Sequence, residues 1–210
     1  MSGFFFWFGS FDLAASFLLA AAASCRGRLF GGHVSGAAVL GCLCGLAGPL
    51  LRECLGGGSG AELLASGAFV GAVVAGALAG AVLAGLRRQG AGLFFWLDSL
   101  GLALAACLGA MRGLTLGLGA AGALVLGLLA GLAPGLLRDM ALGDTARAVE
   151  ESWYATAAAL GGMLTIGLAR LPWRPSGWAL SGAQWEYVCI ACGVLLATAL
   201  RFWRGRRNPD

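Results

Sequence analysis

Seven apolar stretches constrain this chain more than any other feature, at about residues 4–24, 34–56, 62–86, 93–111, 117–140, 150–169 and 185–203. Each is near the roughly 20 apolar residues that a helix needs to cross the hydrocarbon of a bilayer. Charged or glycine-rich links separate them: Arg26–His33, the GGGSG at 56–60, Arg87–Gln89, Arg112–Gly113, Gly143–Glu151 and Arg170–Gly182. Lipid offers no partner to open backbone N–H and C=O groups, so spans of this length must be helical. The expected fold is an all-α integral membrane protein, a single transmembrane domain over residues 1–210 with seven transmembrane helices. Composition agrees. Only 11% of residues are charged, 59% are hydrophobic and the mean hydropathy is +0.84. Soluble domains carry roughly 25% charged residues, so most of this surface must face lipid. The first apolar run lacks a basic leader and reads as a retained span.

The second stretch returns later in the chain. Residues 36–53, GAAVLGCLCGLAGPLLRE, align without a gap on residues 122–139, GALVLGLLAGLAPGLLRD, at an offset of 86. Twelve of the eighteen positions are identical, and the last pairs Glu53 with Asp139. The same offset pairs Asp12 with Asp98, Arg26 with Arg112, and Gly57 with Gly143. The repeat unit is therefore three helices, repeat 1 at about 4–86 and repeat 2 at about 93–169, with a seventh helix at about 185–203. Three is odd, so the second unit must enter the membrane from the opposite face. Inverted repeats of this kind commonly place a pathway at the bilayer midplane, between interrupted helices.

The positive charge consists of fourteen arginines with no lysine. Threaded through seven spans, ten fall on one side: Arg26, Arg28, Arg87, Arg88, Arg138, Arg147, Arg201, Arg204, Arg206 and Arg207. Arg52, Arg112, Arg170 and Arg174 fall on the other. The positive-inside rule then puts the C-terminus in the cytoplasm and the N-terminus outside, in a cell (plasma or inner) membrane. The last four arginines read as a basic tail that stops transfer and meets lipid headgroups. This charge is topological, and no nucleic-acid partner is implied.

Within the repeated helix, Pro49 and Pro134 remove the N–H that would bond to the carbonyls of Gly45 and Ala130. Gly48, Gly131 and Gly135 beside them ease bending. Freed carbonyls at membrane depth are natural cation ligands, which makes Gly45, Gly48, Pro49, Ala130, Gly131, Pro134 and Gly135 candidate pore residues. No fixed metal site is expected, only transient cation contacts near the Gly45 and Ala130 carbonyls. Ionisable groups inside spans are costly and usually face a bundle interior in pairs. Two charge clusters are expected, Asp12/Arg52/Glu53 outside and Asp98/Arg138/Asp139 inside, bracketing a kinked waist. The alternative for Arg52, Glu53, Arg138 and Asp139 is a headgroup position that merely ends a helix.

Other signals carry less. GxxxG spacings recur at Gly41/Gly45, Gly67/Gly71, Gly76/Gly80 and Gly127/Gly131, but with 37 glycines many arise by chance. Cys189-x-x-Cys192 has redox spacing yet lies in an apolar helix, where cysteine packs as a small hydrophobe. The single His33 has no visible partners for a metal site, and no Walker loop or Ser–His–Asp set is evident, so an enzyme and a cofactor are not expected. Trp173, Trp178 and Trp185 fit an interfacial aromatic belt.

At the repeated motif the sequence resembles the trimeric intracellular cation (TRIC) channel family, in its prokaryotic branch. The resemblance rests on Asp12 with Ala47-Gly48-Pro49-x-x-Arg52-Glu53, and on LDSLGLAL at 97–104 with Ala133-Pro134-Gly135-x-x-Arg138-Asp139. Leu142-Gly143 and Trp153-Tyr154-Ala155 extend it, and it covers nearly all of residues 10–203. The family has a glycine triplet where this chain has AGP and then APG, and Arg-Asp where the first copy has Arg52-Glu53. The resemblance implies seven helices per protomer, a homotrimer, a pore in each protomer lined by helices 1, 2, 4 and 5, and passive conduction of potassium with some sodium. The alternative is a secondary transporter of a small solute such as an amino acid, which inverted repeats with broken helices suit equally well.

Overall fold

A computed structural model describes residues 2–86, 90–171 and 182–205. Among these it has nine helices and no strand: α1 Ser2–Leu29, α2 Val34–Leu55, α3 Gly60–Ala65, α4 Gly67–Leu86, α5 Gly90–Thr115, α6 Gly119–Leu142, α7 Arg147–Glu150, α8 Ser152–Arg170 and α9 Gly182–Gly205. Seven are long, one for each apolar stretch. By length and composition, five of them can cross a membrane: α2, α4, α5, α6 and α9. Arg87, Arg88, Arg174, Trp173, Trp178, Arg206 and Arg207, used above for topology and the aromatic belt, lie outside the described residues.

The third stretch departs from its expected course as one span from residue 62. Its start is the separate helix α3, and Ser66 is extended between α3 and α4. The Ser66 hydroxyl accepts the Phe69 N–H at 3.4 Å. That is an N-cap bond to the third residue of α4, so the serine starts a new helix inside an apolar run. The second half is also interrupted before its third long helix, where α7 precedes α8. Adding 86 to the bounds of α2 and α4 gives 120–141 and 153–172, within two residues of α6 and α8 at each end.

The helices approach through missing side chains. A Cβ on Gly45 would lie 2.8 Å from Cβ of Ala20 and 3.0 Å from the Ser16 carbonyl oxygen. One on Gly131 would lie 3.0 Å from Cβ of Ala106 and 3.2 Å from the Leu102 carbonyl oxygen. Ala20 and Ala106 are themselves 86 apart, so α2 packs on α1 as α6 packs on α5. Gly76 and Gly80 similarly admit the α1 backbone at Phe17 and Ala21, whereas no atom of the described residues would lie within 4 Å of a Cβ on Gly67 or Gly71. Three of the four GxxxG pairs are thus helix contacts. The centre of the fold is α1 against α5, with α2 and α4 on α1, α6 and α8 on α5, and α9 against α5 and α8.

Candidate functional site

The two halves also meet where α2 crosses α6. Pro49 and Pro134 are buried, each inside one α-helix that continues past it. The Ala130 carbonyl, which Pro134 deprives of its helical donor, is turned toward Gly48. A Cβ on Gly48 would lie 2.6 Å from that oxygen and 3.2 Å from Cγ of Pro134. Gly48 and Pro134 are 86 apart, so each meets its own sequence counterpart. Such self-contact is what a two-fold axis produces. The Pro134 ring fits there against a residue without a side chain, which accounts for Gly48 opposite Pro134.

Of the candidate pore residues, Gly48, Ala130 and Pro134 are therefore brought together. Gly45 and Gly131 face α1 and α5 instead. Gly135 leaves room for the Tyr154 hydroxyl, which would lie 2.5 Å from an added Cβ.

The six predicted charged residues form two clusters. In the first, Arg52 grips Asp12 with both terminal nitrogens, Nη1 to Oδ1 at 2.5 Å and Nη2 to Oδ2 at 2.8 Å, and reaches Glu53 at 3.4 Å. In the second, Arg138 donates Nη1 to Asp98 Oδ1 at 2.5 Å and Nε to Asp139 Oδ1 at 2.7 Å. Asp139 Oδ2 also accepts the backbone N–H of Arg147 at 3.0 Å. Arg52, Arg138, Asp98 and Asp139 are all buried, and Glu53 is partly exposed.

Charged contacts also run between the halves. Arg26, at the end of α1, donates to Asp144, just beyond α6, at 2.7 Å. Arg112, near the end of α5, donates to Glu53, near the end of α2, at 3.3 Å. Arg26 and Arg112 are the pair matched at offset 86, and each reaches into the other half. Asp144 lies outside the spans, and the hydrogen bond from Arg26 holds its carboxyl below the ordinary carboxylate range.

The sequence reading missed much of the second cluster. Arg201, expected in a basic tail, is 4% exposed and belongs to it. It donates to Asp98 Oδ2 at 3.0 Å and to Glu151 at 3.4 Å, with its guanidinium 4.5 Å from the Tyr154 ring centroid. Tyr154 donates its hydroxyl to Asp98 at 3.3 Å, and Arg147 pairs with Glu151 at 3.0 Å. The Phe94 ring has the guanidinium groups of Arg138 and Arg147 at 4.8 and 4.7 Å, in cation–π range. Arg201 had one available signal, a lone arginine in the apolar run LATALRFW. No group of three or more metal-ligating side chains occurs among the described residues.

A family model described as Glycine transporter matches residues 95–170, from inside α5 to the end of α8. No curated protein matches the sequence. Among solved structures, the TRIC trimeric intracellular cation channel orthologue from Rhodobacter sphaeroides is 22% identical, with a TM-score of 0.77 over 94% of this chain and 98% of that one. A prokaryotic TRIC channel crystallised in 0.5 M KCl is 18% identical, with a TM-score of 0.83 over 98% and 99%. A third, from work on conductance through TRIC cation channels, is 18% identical, with a TM-score of 0.76 over 94% and 92%. The chain has the fold of the prokaryotic TRIC channels along almost its whole length.

Proposed function

We propose that this chain is a multi-pass membrane channel for monovalent cations, permeable to potassium, with a pore in each protomer of a homotrimer. Helices α1, α2 and α4 would form one unit and α5, α6 and α8 its inverted copy, with α9 added. The observation that carries the reading is the arrangement along α2 and α6. A contact made by Gly48, Ala130 and Pro134 is flanked by two charge clusters, one partly buried and one buried, each built from equivalent residues 40 apart in sequence. The Ala130 carbonyl turned toward Gly48 would mark the closed waist. On opening, α2 and α6 would part, and the Gly45 and Ala130 carbonyls would replace part of the ion's hydration shell.

Arg52 and Arg138 would repel a cation if left bare. Both are held by carboxylates, which supports a role as braces or gate elements. The arginine count of ten to four supports a cytoplasmic C-terminus and an outside N-terminus.

The fold shared with TRIC channels supports a channel, and the family model described as Glycine transporter favours a second reading, a carrier of a small amino acid. Planar-bilayer recording under a potassium gradient separates them. Discrete single-channel potassium currents support the channel. Their absence, with slow saturable glycine uptake into liposomes, would overturn it in favour of the carrier.

A further inference from the structure

The two arginines of the repeated motif are not held alike. Arg52 makes a two-pronged fork on Asp12, using Nη1 and Nη2 on the two carboxylate oxygens. Arg138 reaches Asp98 through Nη1 alone, and the other oxygen accepts from Arg201 instead. Among the described residues, Nη2 of Arg138 is then buried with no hydrogen-bond partner, on a side chain 2% exposed. A buried donor left unmade is costly. Arg201 comes from α9, the helix outside the repeat, and is held by Glu151 and the faces of Tyr154 and Phe95.

We propose that Arg201 is a positioning residue: by occupying one oxygen of Asp98 it keeps Arg138 out of the fork that Arg52 makes, so that the latch at the second cluster is weaker than at the first. The structural half of this proposal stands on the geometry. Its consequence for gating rests on the channel reading, in which the second mouth opens more readily than the first. Once Arg201 is removed, Asp98 Oδ2 turns to Arg138 Nη2, both buried groups are satisfied, and Arg138 makes on Asp98 the fork that Arg52 makes on Asp12.

The test uses the full chain in lipid with Arg201→Met, which keeps an apolar stem and removes the donors, alone and combined with Asp98→Asn or Asp12→Asn. The first readout is a solved structure of Arg201→Met, expected to show both terminal nitrogens of Arg138 on Asp98. An Arg138 still holding Asp98 by one nitrogen overturns the proposal. The second is open probability in potassium bilayers. Arg201→Met should lower it roughly tenfold, the worth of one charge-assisted hydrogen bond. That effect should vanish with Asp98→Asn and persist with Asp12→Asn, because coupling is confined to groups in contact. An equal effect in both backgrounds means Arg201 only holds α9 in place, and overturns the proposal. If the parent chain passes no potassium, the channel reading fails and the structure of the variant still decides the structural claim. Should Arg201→Met not fold, Arg201→Gln, which retains a donor for Glu151, carries both readouts.

Discussion

The two charge clusters start from the same sequence and end in different surroundings. Around Arg52 the partners stay within reach of water, with side-chain exposures of 15% for Asp12 and 17% for Glu53. Around Arg138 they do not, with 0% for Asp98 and 1% for Asp139. The first cluster is closed by α1, α2 and, through Arg112, α5. The second is closed by α5, α6, α8 and α9. The sequence repeat thus carries two copies of one Arg–acid cluster, and α9, outside that repeat, reaches only the second. A buried ion pair is weak support for stability while intact, yet breaking it is expensive because a charge is stranded. The more enclosed copy is therefore the more sensitive to substitution.

The largest effect should come from Arg138→Ala. It leaves Asp98 with Arg201 and Tyr154 but strands Asp139 against a backbone N–H, so the loss should be about 3–5 kcal/mol, the range for breaking a buried pair. Arg52→Ala leaves Asp12 and Glu53 able to hydrate and should cost about 2 kcal/mol. Denaturant unfolding of both variants in the same detergent checks the order. Equal losses would remove the asymmetry, and an Arg138→Ala protein with unchanged folding, flux and gating would remove the latch itself.

Next in size is the place where the halves touch. Gly48→Ala puts a methyl 2.6 Å from the Ala130 carbonyl oxygen. Overpacking of this kind costs about 1–3 kcal/mol, and it should push α2 from α6 and raise potassium leak in liposomes. Gly71→Ala is the control, because its Cβ meets nothing. There the gain in helix propensity should leave stability unchanged or raised by about 0.5–1 kcal/mol.

A smaller contrast lies in the acids. Asp139 holds Arg138 and the Arg147 N–H inside the protein, whereas Glu53 reaches Arg52 and Arg112 at 3.4 and 3.3 Å near water. Asp139→Asn should cost about 1–3 kcal/mol, and Glu53→Gln under about 1 kcal/mol, as for exposed pairs. Thermal unfolding of the two variants in one detergent measures the difference, and a larger loss for Glu53→Gln would reverse the ranking of the clusters.

What could be read in advance follows from what repeats. The pairing of Asp12 with Arg52 and of Asp98 with Arg138 was legible because both pairs lie 40 residues apart and recur at offset 86. Ser66 was hidden because a single cap inside an apolar run leaves hydrophobicity unchanged. The exchange of glycine and proline between the copies was visible, but not that Gly48 and Pro134 touch, which only the α2–α6 crossing decides. Arg201 has no counterpart in the repeat, and counting arginines by membrane side assigned it to a tail. Its partner Asp98 is 103 residues away, a contact that tertiary packing makes and local pattern does not announce.

The smallest effect should appear at the rim, where Arg26 ties the end of α1 to Asp144 beyond α6. The hydrogen bond from Arg26 lowers the folded-state value of Asp144, while the unfolded chain keeps the ordinary one. A group depressed in this way contributes stability that is complete above the ordinary carboxylate value and is lost as the pH falls through the lowered one. The tie should therefore be intact at neutral pH and loosen in acid, never in base. Because the pair is open to water its contribution is small, so the sensitive measurement is a difference. Unfolding midpoints of the parent chain and of Asp144→Asn should differ at pH 7 and converge toward pH 3. A gap that stays constant across that range would mean the tie between the halves does not depend on the charge of Asp144.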